Sequence, residues 1–199
     1  MRIISVPPEK DTSRFIKNIV EALGKGKVVA APTDTVYGLL ADATNAKSVN
    51  KIFKIKQREI GKPLYVFVAD IAMARKFATI EESKEEFLKS VWPGKVTVIF
   101  KSKSKLPKEL GTEQTVGFRI PNHDIILRIL RQFGGPITGT SANISGTPSV
   151  LDSKEVISQF EGKEFQPDIV IDAGKIPHSL PSTVIDWTGK DQKIVRKGA

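Results

Sequence analysis

Cysteine is absent from this sequence of 199 residues. Its absence excludes a disulfide framework and thiolate catalysis, and it removes the usual ligands of structural zinc. The two histidines, His123 and His178, stand far apart and form no metal-binding motif. The sequence therefore predicts no metal site built from the chain's own side chains.

Long apolar segments are absent as well. No run of about 18 apolar residues occurs, so we expect no transmembrane helix. The first residues, MRIISVPPEKD, lack the apolar centre of a signal peptide, which predicts a cytoplasmic protein. A Walker A motif is also missing, since Gly24-Lys25-Gly26-Lys27 has neither its spacing nor its Ser or Thr. Any nucleotide must be held by other means.

Basic residues outnumber acidic ones, 31 Lys and Arg against 22 Asp and Glu, for a net charge of +9. This charge fits polyanionic partners, either nucleic acid or nucleotide phosphates, or else a lysine-rich solubilising surface. A hydrophobic content of 40% over this length is enough for one substantial core. We therefore predict a single domain over residues 1–199.

Hydrophobic periodicity predicts alternating helices and strands. The predicted helices cover 12–23, 46–56, 71–77, 81–90, 123–133 and 152–160, with Asp11 or Thr12 capping the first. The predicted strands cover 27–31, 64–69, 96–100, 116–120, 136–138, 169–172, 183–187 and 194–196. Because several strands follow each other directly, the pattern indicates an α/β domain with a mixed, twisted sheet whose strand order remains open.

Residues Gly134–Ser149, GGPITGTSANISGTPS, hold an unusual density of small side chains. We call this segment the small-residue loop. Its hydroxyls and amide follow a short apolar strand, and small residues allow the backbone to approach a ligand closely. Exposed backbone N–H groups of this kind suit a phosphate or a sugar hydroxyl.

Three cations, Lys56, Arg58 and Lys62, cluster where the helix 46–56 ends and the next strand begins. Loops at strand ends are where α/β sheets bind ligands, and clustered cations can neutralise a triphosphate. Lys56 also lies on the apolar stripe of Val49, Ile52 and Phe53. By itself it is equally typical of a lysine that extends to solvent or stabilises the helix C-terminus.

Arg119 lies on the predicted strand 116–120, on the side opposite Val116, Phe118 and Ile120. Gly117 leaves room beside it, which suits a bidentate contact with a carboxylate. A surface or ion-paired arginine fits the spacing equally well. Similar alternatives stay open for the turn at Pro181-Ser182-Thr183 and for the terminal Arg196, either structural or ligand-facing.

Two further segments also carry alternatives. Trp92-Pro93-Gly94 is typical of a turn with an aromatic anchor, so core packing is its favoured role. The basic loop, defined by Lys101, Lys103, Lys105 and Lys108, is typical of a solvated hairpin tip but would also suit RNA phosphates. It contains no aromatic residue for base stacking, which weakens a single-strand interpretation.

Taken in order, the motifs resemble the YrdC (TsaC) family of threonylcarbamoyl-AMP synthases over nearly the whole chain. Each motif is weak alone, but seven in one order are specific. They are Pro32 to Leu39 (PTDTVYGL), Lys56-Gln-Arg with Lys62-Pro-Leu, Trp92-Pro-Gly with Thr97, Arg119-Ile-Pro, Ser141-Ala-Asn-Ile-Ser-Gly, Pro181-Ser-Thr and Val195-Arg196.

The resemblance implies the YrdC-type α/β fold, an open twisted mixed sheet with flanking helices around a basic cleft. It implies the single-domain form, without the extra C-terminal domain of longer members. The implied reaction converts L-threonine, bicarbonate and ATP, with Mg²⁺ on the phosphates, to L-threonylcarbamoyl-AMP and pyrophosphate. The product would feed the machinery that makes t6A at position 37 of tRNA.

The resemblance also implies the site residues. Thr35, Arg119 and Ser182 would hold threonine, and Lys56 and Arg58 would act in catalysis. The expected ATP-binding residues are Lys56, Arg58, Lys62, Thr115, Gly139, Ser141, Asn143, Ser149 and Arg196.

One position departs from the family pattern, because Phe67 stands where many members carry a histidine near the threonine. This departure keeps open a paralogue of the YciO type that binds nucleotide but uses another acceptor. The net charge and the basic loop keep open a third possibility, a non-catalytic protein that binds double-stranded RNA or tRNA.

Overall fold

Six helices of the computed structural model, which describes residues 1–7, 12–111 and 114–199, follow the predicted pattern. The predicted cap Asp11 lies outside the described residues, and the segment predicted at 81–90 begins with a 3₁₀ turn at Glu82–Lys84 before its α-helix. The helices are α1 (Thr12–Gly24), α2 (Ala46–Lys56), α3 (Ile71–Phe77), α4 (Glu85–Val91), α5 (Asp124–Phe133) and α6 (Ser153–Phe160).

Every predicted strand is present, although that predicted at 64–69 shortens to two residues. The strands β1, β3, β5 and β9 were not predicted; β3, β5 and β9 have only two or three residues, too few to show a clear alternation of polar and apolar side chains. The strands are β1 (Arg2–Ser5), β2 (Val29–Ala31), β3 (Gly38–Leu40), β4 (Val66–Phe67), β5 (Ala78–Thr79), β6 (Val96–Ser102), β7 (Thr115–Arg119), β8 (Ile137–Thr138), β9 (Thr140–Ser141), β10 (Ile169–Asp172), β11 (Thr183–Asp186) and β12 (Lys193–Arg196).

The strands form two mixed sheets rather than the one sheet that was predicted. The first sheet has the order β1-β10-β2-β3-β9, with parallel pairs up to β2 and antiparallel pairs beyond it. The second has the order β12-β11-β6-β7-β4-β8, and β5 pairs with β6. Alternation along a strand identifies the face it buries but not its neighbours, which is why the division into two sheets was missed.

Buried apolar side chains from both sheets and from all six helices form one core cluster. The stripe predicted on α2 belongs to it, since Val49, Ile52 and Phe53 are all buried. Lys56 continues this stripe and is only 2% exposed. The prediction that Lys56 extends to solvent is therefore wrong, and its ammonium needs polar partners inside the protein.

The small-residue loop connects the two sheets. Its strand β8 pairs with β4 in the second sheet, while β9 pairs with β3 in the first. Gly139 is the single residue between these two strands. The chain therefore passes from one sheet to the other at Gly139, and the loop's small side chains lie along the junction.

None of the helices within the described ranges has the length and apolar character needed to cross a membrane. The cytoplasmic location stays a prediction.

Candidate active site

A cavity of about 140 Å³ lies at the junction of the two sheets. It brings together residues that are far apart in the sequence but were predicted to act together, namely Thr35, Arg58, Arg119, Gly139, Ser141, Ser149, Ser182 and Arg196. Thr33 and Tyr65 also line it and were missed by the sequence analysis, and Thr140 lines it as a member of the small-residue loop. Arginine and hydroxyl groups on one concave surface suit a ligand with carboxylate or phosphate groups.

Arg119 is a buried, ion-paired arginine at the end of β7, with 3% exposure. Its Nε donates to Gly94 O at 2.8 Å and its Nη1 to Thr35 Oγ1 at 3.1 Å. Nη2 forms an ion pair with Asp34 Oδ1 at 2.7 Å. Burial lowers the pKa of Arg119, while the nearby Asp34 charge opposes that shift.

The hydroxyl groups of Thr33 and Thr35 form a directed chain of hydrogen bonds. Thr33 Oγ1 donates to Val36 O at 2.7 Å, so its oxygen must act as acceptor in the 3.1 Å contact with Thr35 Oγ1. Thr35 therefore donates to Thr33 and accepts from Arg119 Nη1. Since a hydroxyl has one donor and two acceptor sites, Thr35 has one acceptor site left for a ligand N–H or O–H.

Ser182 lines the cavity and contacts two other side chains. Its hydroxyl lies 2.8 Å from the hydroxyl of Thr97, which is buried. Arg196 Nη2 donates to Ser182 O at 2.8 Å and to Ser182 Oγ at 3.3 Å. Unlike Arg119, Arg196 is an exposed residue on β12. Thr97, in β6, supports the Ser182 hydroxyl from inside the protein and was not among the predicted site residues.

Arg58 lines the cavity just beyond the end of α2. Its Nε donates to Lys62 O and its Nη2 to Pro63 O, both at 3.1 Å. Lys62 itself points elsewhere, because its ammonium pairs with Glu59 at 3.0 Å and its side chain is 61% exposed. Exposed ion pairs contribute little. The backbone of Lys62 thus orients Arg58, while its side chain is not among the residues that line the cavity.

Lys56 and Asn143 hold the small-residue loop from behind and do not line the cavity. The Lys56 ammonium donates to Ser141 O, to Asn143 O at 2.8 Å and to Asn143 Oδ1 at 3.3 Å. The Asn143 amide in turn donates to Thr147 O at 2.6 Å. Burial, and secondarily the charge of Arg58, lowers the pKa of Lys56 to about 7. Direct contact of Lys56 or Asn143 with ATP stays a prediction.

Gly139 is required by its close contact with an aromatic ring. A Cβ atom at this position would lie 2.4 Å from Phe67 Cε1, closer than two carbon atoms can approach. The Gly139 amide also donates to Tyr65 O at 2.8 Å. The glycine thus keeps the loop against the segment that carries Tyr65 and Phe67, both of which line the cavity.

Thr115 lies away from the other predicted residues. It begins β7, whereas Arg119 ends it, and four residues of strand span about 13 Å. Thr115 lines a separate cavity with Ser102 and Lys108. The structure therefore does not place it with the other predicted ATP-binding residues, and its contact with ATP stays a prediction.

The basic loop lies outside the cavity lining. Lys101, Lys103, Lys105 and Lys108 are all exposed, and the Lys103 ammonium donates to Arg75 O at 2.7 Å. The turn at Trp92 has the predicted packing role, because its ring is 6% exposed and its Nε1 donates to Val96 O. Its neighbour Gly94 also contributes to the site, since its carbonyl accepts from Arg119.

The chain thus has a mixed α/β fold with a cavity lined by arginine and hydroxyl groups. Such a cavity is typical of proteins that bind anionic ligands, such as nucleotides and carboxylates. Residues 21–198 match the Sua5/YciO/YrdC family model, whose description reads "Telomere recombination". The chain belongs to this family. The resemblance seen in the sequence motifs is confirmed.

A relative from Pyrococcus abyssi, named threonylcarbamoyl-AMP synthase, is 36% identical over 176 residues. The match covers 87% of this chain and 51% of the relative. The chain therefore spans about half the length of this curated relative.

Two solved structures share the fold. Pyrococcus abyssi Sua5 complexed with L-threonine has a TM-score of 0.88 at 32% identity, covering 99% of this chain and 57% of that one. Escherichia coli YciO has a TM-score of 0.89 at 27% identity, covering 100% of this chain and 97% of that one. These similarities confirm the predicted fold class, while fold alone does not separate the two named proteins.

Proposed function

We propose that this chain is an L-threonylcarbamoyl-AMP synthase, which converts L-threonine, bicarbonate and ATP to L-threonylcarbamoyl-AMP and pyrophosphate. The observation that carries the proposal is that Thr35, Arg119 and Ser182 share one cavity with five of the nine predicted ATP-binding residues. The Pyrococcus abyssi relative, named threonylcarbamoyl-AMP synthase, and the threonine complex of Sua5 support it. The proposal treats residues 1–199 as one YrdC-like domain.

In this proposal threonine binds at the buried end of the cavity. Arg119 takes its carboxylate, and the remaining acceptor site of Thr35 takes an N–H or O–H group. Ser182, held by Thr97 at 2.8 Å, completes the threonine contacts.

ATP binds along the more exposed side, where Arg58 and Arg196 face its phosphates. Gly139, Ser141 and Ser149 offer hydroxyls and close backbone approach to the nucleotide. Lys56 and Asn143 keep the loop carbonyls in place from behind. Contacts of Lys56, Lys62, Asn143 and Thr115 with ATP remain part of the proposal and require movement or a longer reach.

The chemistry needs positioning and charge neutralisation more than a buried base. Bicarbonate takes up a proton and loses water to give CO₂, and the threonine ammonium group loses two protons as its nitrogen bonds to the CO₂ carbon, giving a carbamate. A carbamate oxygen then forms a bond to the α-phosphorus as the bond to the bridging oxygen of the β-phosphate breaks, and pyrophosphate leaves with that electron pair. Arg58 and Arg196 stabilise the charge that moves onto the phosphate oxygens.

Mg²⁺ would arrive with the nucleotide. Within the described ranges, no three His, Asp or Glu side chains come together as a metal site. Mg²⁺ commonly binds through substrate phosphates with few protein ligands. ATP phosphates facing the cleft arginines fit that mode.

The test is release of pyrophosphate from ATP that requires both threonine and bicarbonate, with threonylcarbamoyl-AMP identified by mass spectrometry. Arg58→Ala should abolish release while the circular dichroism spectrum remains native. A well-folded wild-type chain that releases no pyrophosphate would contradict the proposal. Release with another amino acid, but not with threonine, would instead favour a YciO-like paralogue.

A direct interaction with tRNA is a second candidate, favoured by the +9 charge and by the exposed lysines of the basic loop. Salt-sensitive tRNA binding, lost when Lys101, Lys105 and Lys108 are changed to Ala, would support it. Such binding without any ATP affinity would favour the non-catalytic RNA-binding alternative. Transfer of the product to tRNA requires downstream t6A machinery.

A further inference from the structure

Two aromatic side chains line the cavity beside two of its arginines. Tyr65 and Phe67 are two residues apart, so they lie on the same side of an extended chain. Arg119 Cζ lies 5.6 Å from the centre of the Phe67 ring, and Arg196 Cζ lies 5.9 Å from the centre of the Tyr65 ring. Both distances fall within the range of cation–π attraction.

Each ring also packs against a glycine. A Cβ on Gly139 would lie 2.4 Å from Phe67, and a Cβ on Gly117 would lie 2.6 Å from Tyr65. Neither close approach leaves room for a larger side chain. The two aromatic–arginine pairs therefore share the same construction, in which a glycine on a neighbouring strand or loop admits the ring.

The contacts of Arg119 show what its ring can add. Three oxygen atoms, on Gly94, Thr35 and Asp34, contact its nitrogen atoms. These contacts restrain the edges of the guanidinium group, and the Phe67 ring lies over its carbon atom. The register of the sheet reinforces this pairing, since Phe67 and Arg119 are directly opposite in β4 and β7.

We propose that Tyr65 and Phe67 are positioning residues, which set the orientation of Arg196 for ATP and of Arg119 for threonine. The assignment of one substrate to each arginine rests on the proposed function. The rings do not touch the reacting atoms in this proposal. They act through the two arginines, and each therefore affects a different substrate.

The steady-state test compares ring removal with ring retention. Phe67→Leu should raise the KM for threonine about tenfold, because this pair is buried and cation–π attraction is strong away from water. Its KM for ATP should stay within about twofold of wild type, and Phe67→Tyr should restore most of the threonine affinity. Tyr65→Leu should raise the KM for ATP about threefold, a smaller effect because Arg196 is exposed, and Tyr65→Phe should behave like wild type.

A spectroscopic test works without catalysis. An aromatic ring over a guanidinium group shifts the nearby Nε–H proton signal upfield. The Arg119 Nε–H resonance of ¹⁵N-labelled protein should therefore move downfield in Phe67→Leu and stay upfield in Phe67→Tyr. If wild type releases no pyrophosphate, the proposed function fails, while this resonance still decides the role of Phe67.

Phe118→Leu is the matched control, because Phe118 is fully buried on β7 beside Arg119 but is not among the residues that line the cavity. It should lower the melting temperature without raising one KM selectively. The proposal is overturned if Phe67→Leu raises both KM values equally or leaves the Arg119 resonance unmoved. It is also overturned if Phe67→Tyr is as impaired as Phe67→Leu, since the effect would then be steric.

Discussion

The cavity holds two of its arginines, Arg119 and Arg196, in opposite ways. Arg119 is 3% exposed, and contacts with Thr35, Asp34 and Gly94 fix its nitrogen atoms before any ligand binds. Arg196 lies on a strand whose four residues are all exposed, and it is tied mainly to Ser182. An arginine that is already fixed, such as Arg119, suits a small ligand of fixed shape, whereas an exposed one, such as Arg196, can adapt to a long, flexible triphosphate.

The largest expected effect on stability and activity comes from removing the guanidinium group of Arg119. Arg119→Met should lower the free energy of unfolding by about 3–5 kcal/mol, because the Asp34 carboxylate stays buried without its partner. Threonine-dependent pyrophosphate release should fall below detection. Urea unfolding of the single variant and of the Arg119→Met, Asp34→Asn double variant measures the coupling. If the double variant is no more stable than the single one, the Asp34 contact does not carry this cost.

The next largest effect is expected at Gly139, at the junction of the two sheets. Gly139→Ala should cost about 1–3 kcal/mol in stability, since the added methyl group must displace the Phe67 ring. Activity should fall with it, because the ring lies next to Arg119. Gly189→Ala serves as the control, as nothing lies within 4 Å of a Cβ there. Thermal unfolding and pyrophosphate assays of both variants test this, and equal behaviour of the two would contradict it.

Lys56 should make the free energy of unfolding depend on pH. Its folded-state pKa of about 7 lies below the ordinary value of 10.5, so between these values the unfolded chain binds more protons and stability rises with pH. Compared with Lys56→Met, wild type should gain up to about 1.4 kcal/mol of unfolding free energy per pH unit between about pH 7.5 and 9.5. Urea titrations of both proteins at several pH values measure the difference. A constant difference would mean that Lys56 does not change its protonation in this range.

The smallest effect is expected at Lys62, the exposed cation whose backbone carbonyl binds Arg58. Lys62 is an exposed residue whose ammonium pairs with the exposed Glu59, so Lys62→Ala should change the free energy of unfolding by less than about 1 kcal/mol. The KM for ATP should rise by about threefold or less, and less still at high salt. Kinetics at two ionic strengths test this. A loss of activity as large as that of Arg58→Ala would show that Lys62 moves into the cleft.

Sequence reasoning found the elements of the fold because they depend on local signals, whereas the residues that meet in the cavity were predicted as a set through the resemblance to the YrdC family. The alternation around Arg119 and the small side chains of Gly134–Ser149 are visible in the chain itself. Reasoning from the sequence missed Asp34 and Thr97 because their importance comes from contacts 85 residues away in each case, Asp34 with Arg119 and Thr97 with Ser182. It also missed the inward direction of Lys56, because the carbonyls that receive its ammonium belong to a loop 85 to 87 residues further along the chain.

The passage of the small-residue loop from one sheet to the other has a consequence for how activity is lost. β8 and β9 belong to different sheets, and only Gly139 separates them. A slight separation of the sheets would therefore pull apart the walls of the cavity while every helix stayed intact. Under mild denaturant, activity should disappear before the far-ultraviolet circular dichroism signal of the helices, so that enzymatic activity reports the docking of the sheets rather than the folding of either one.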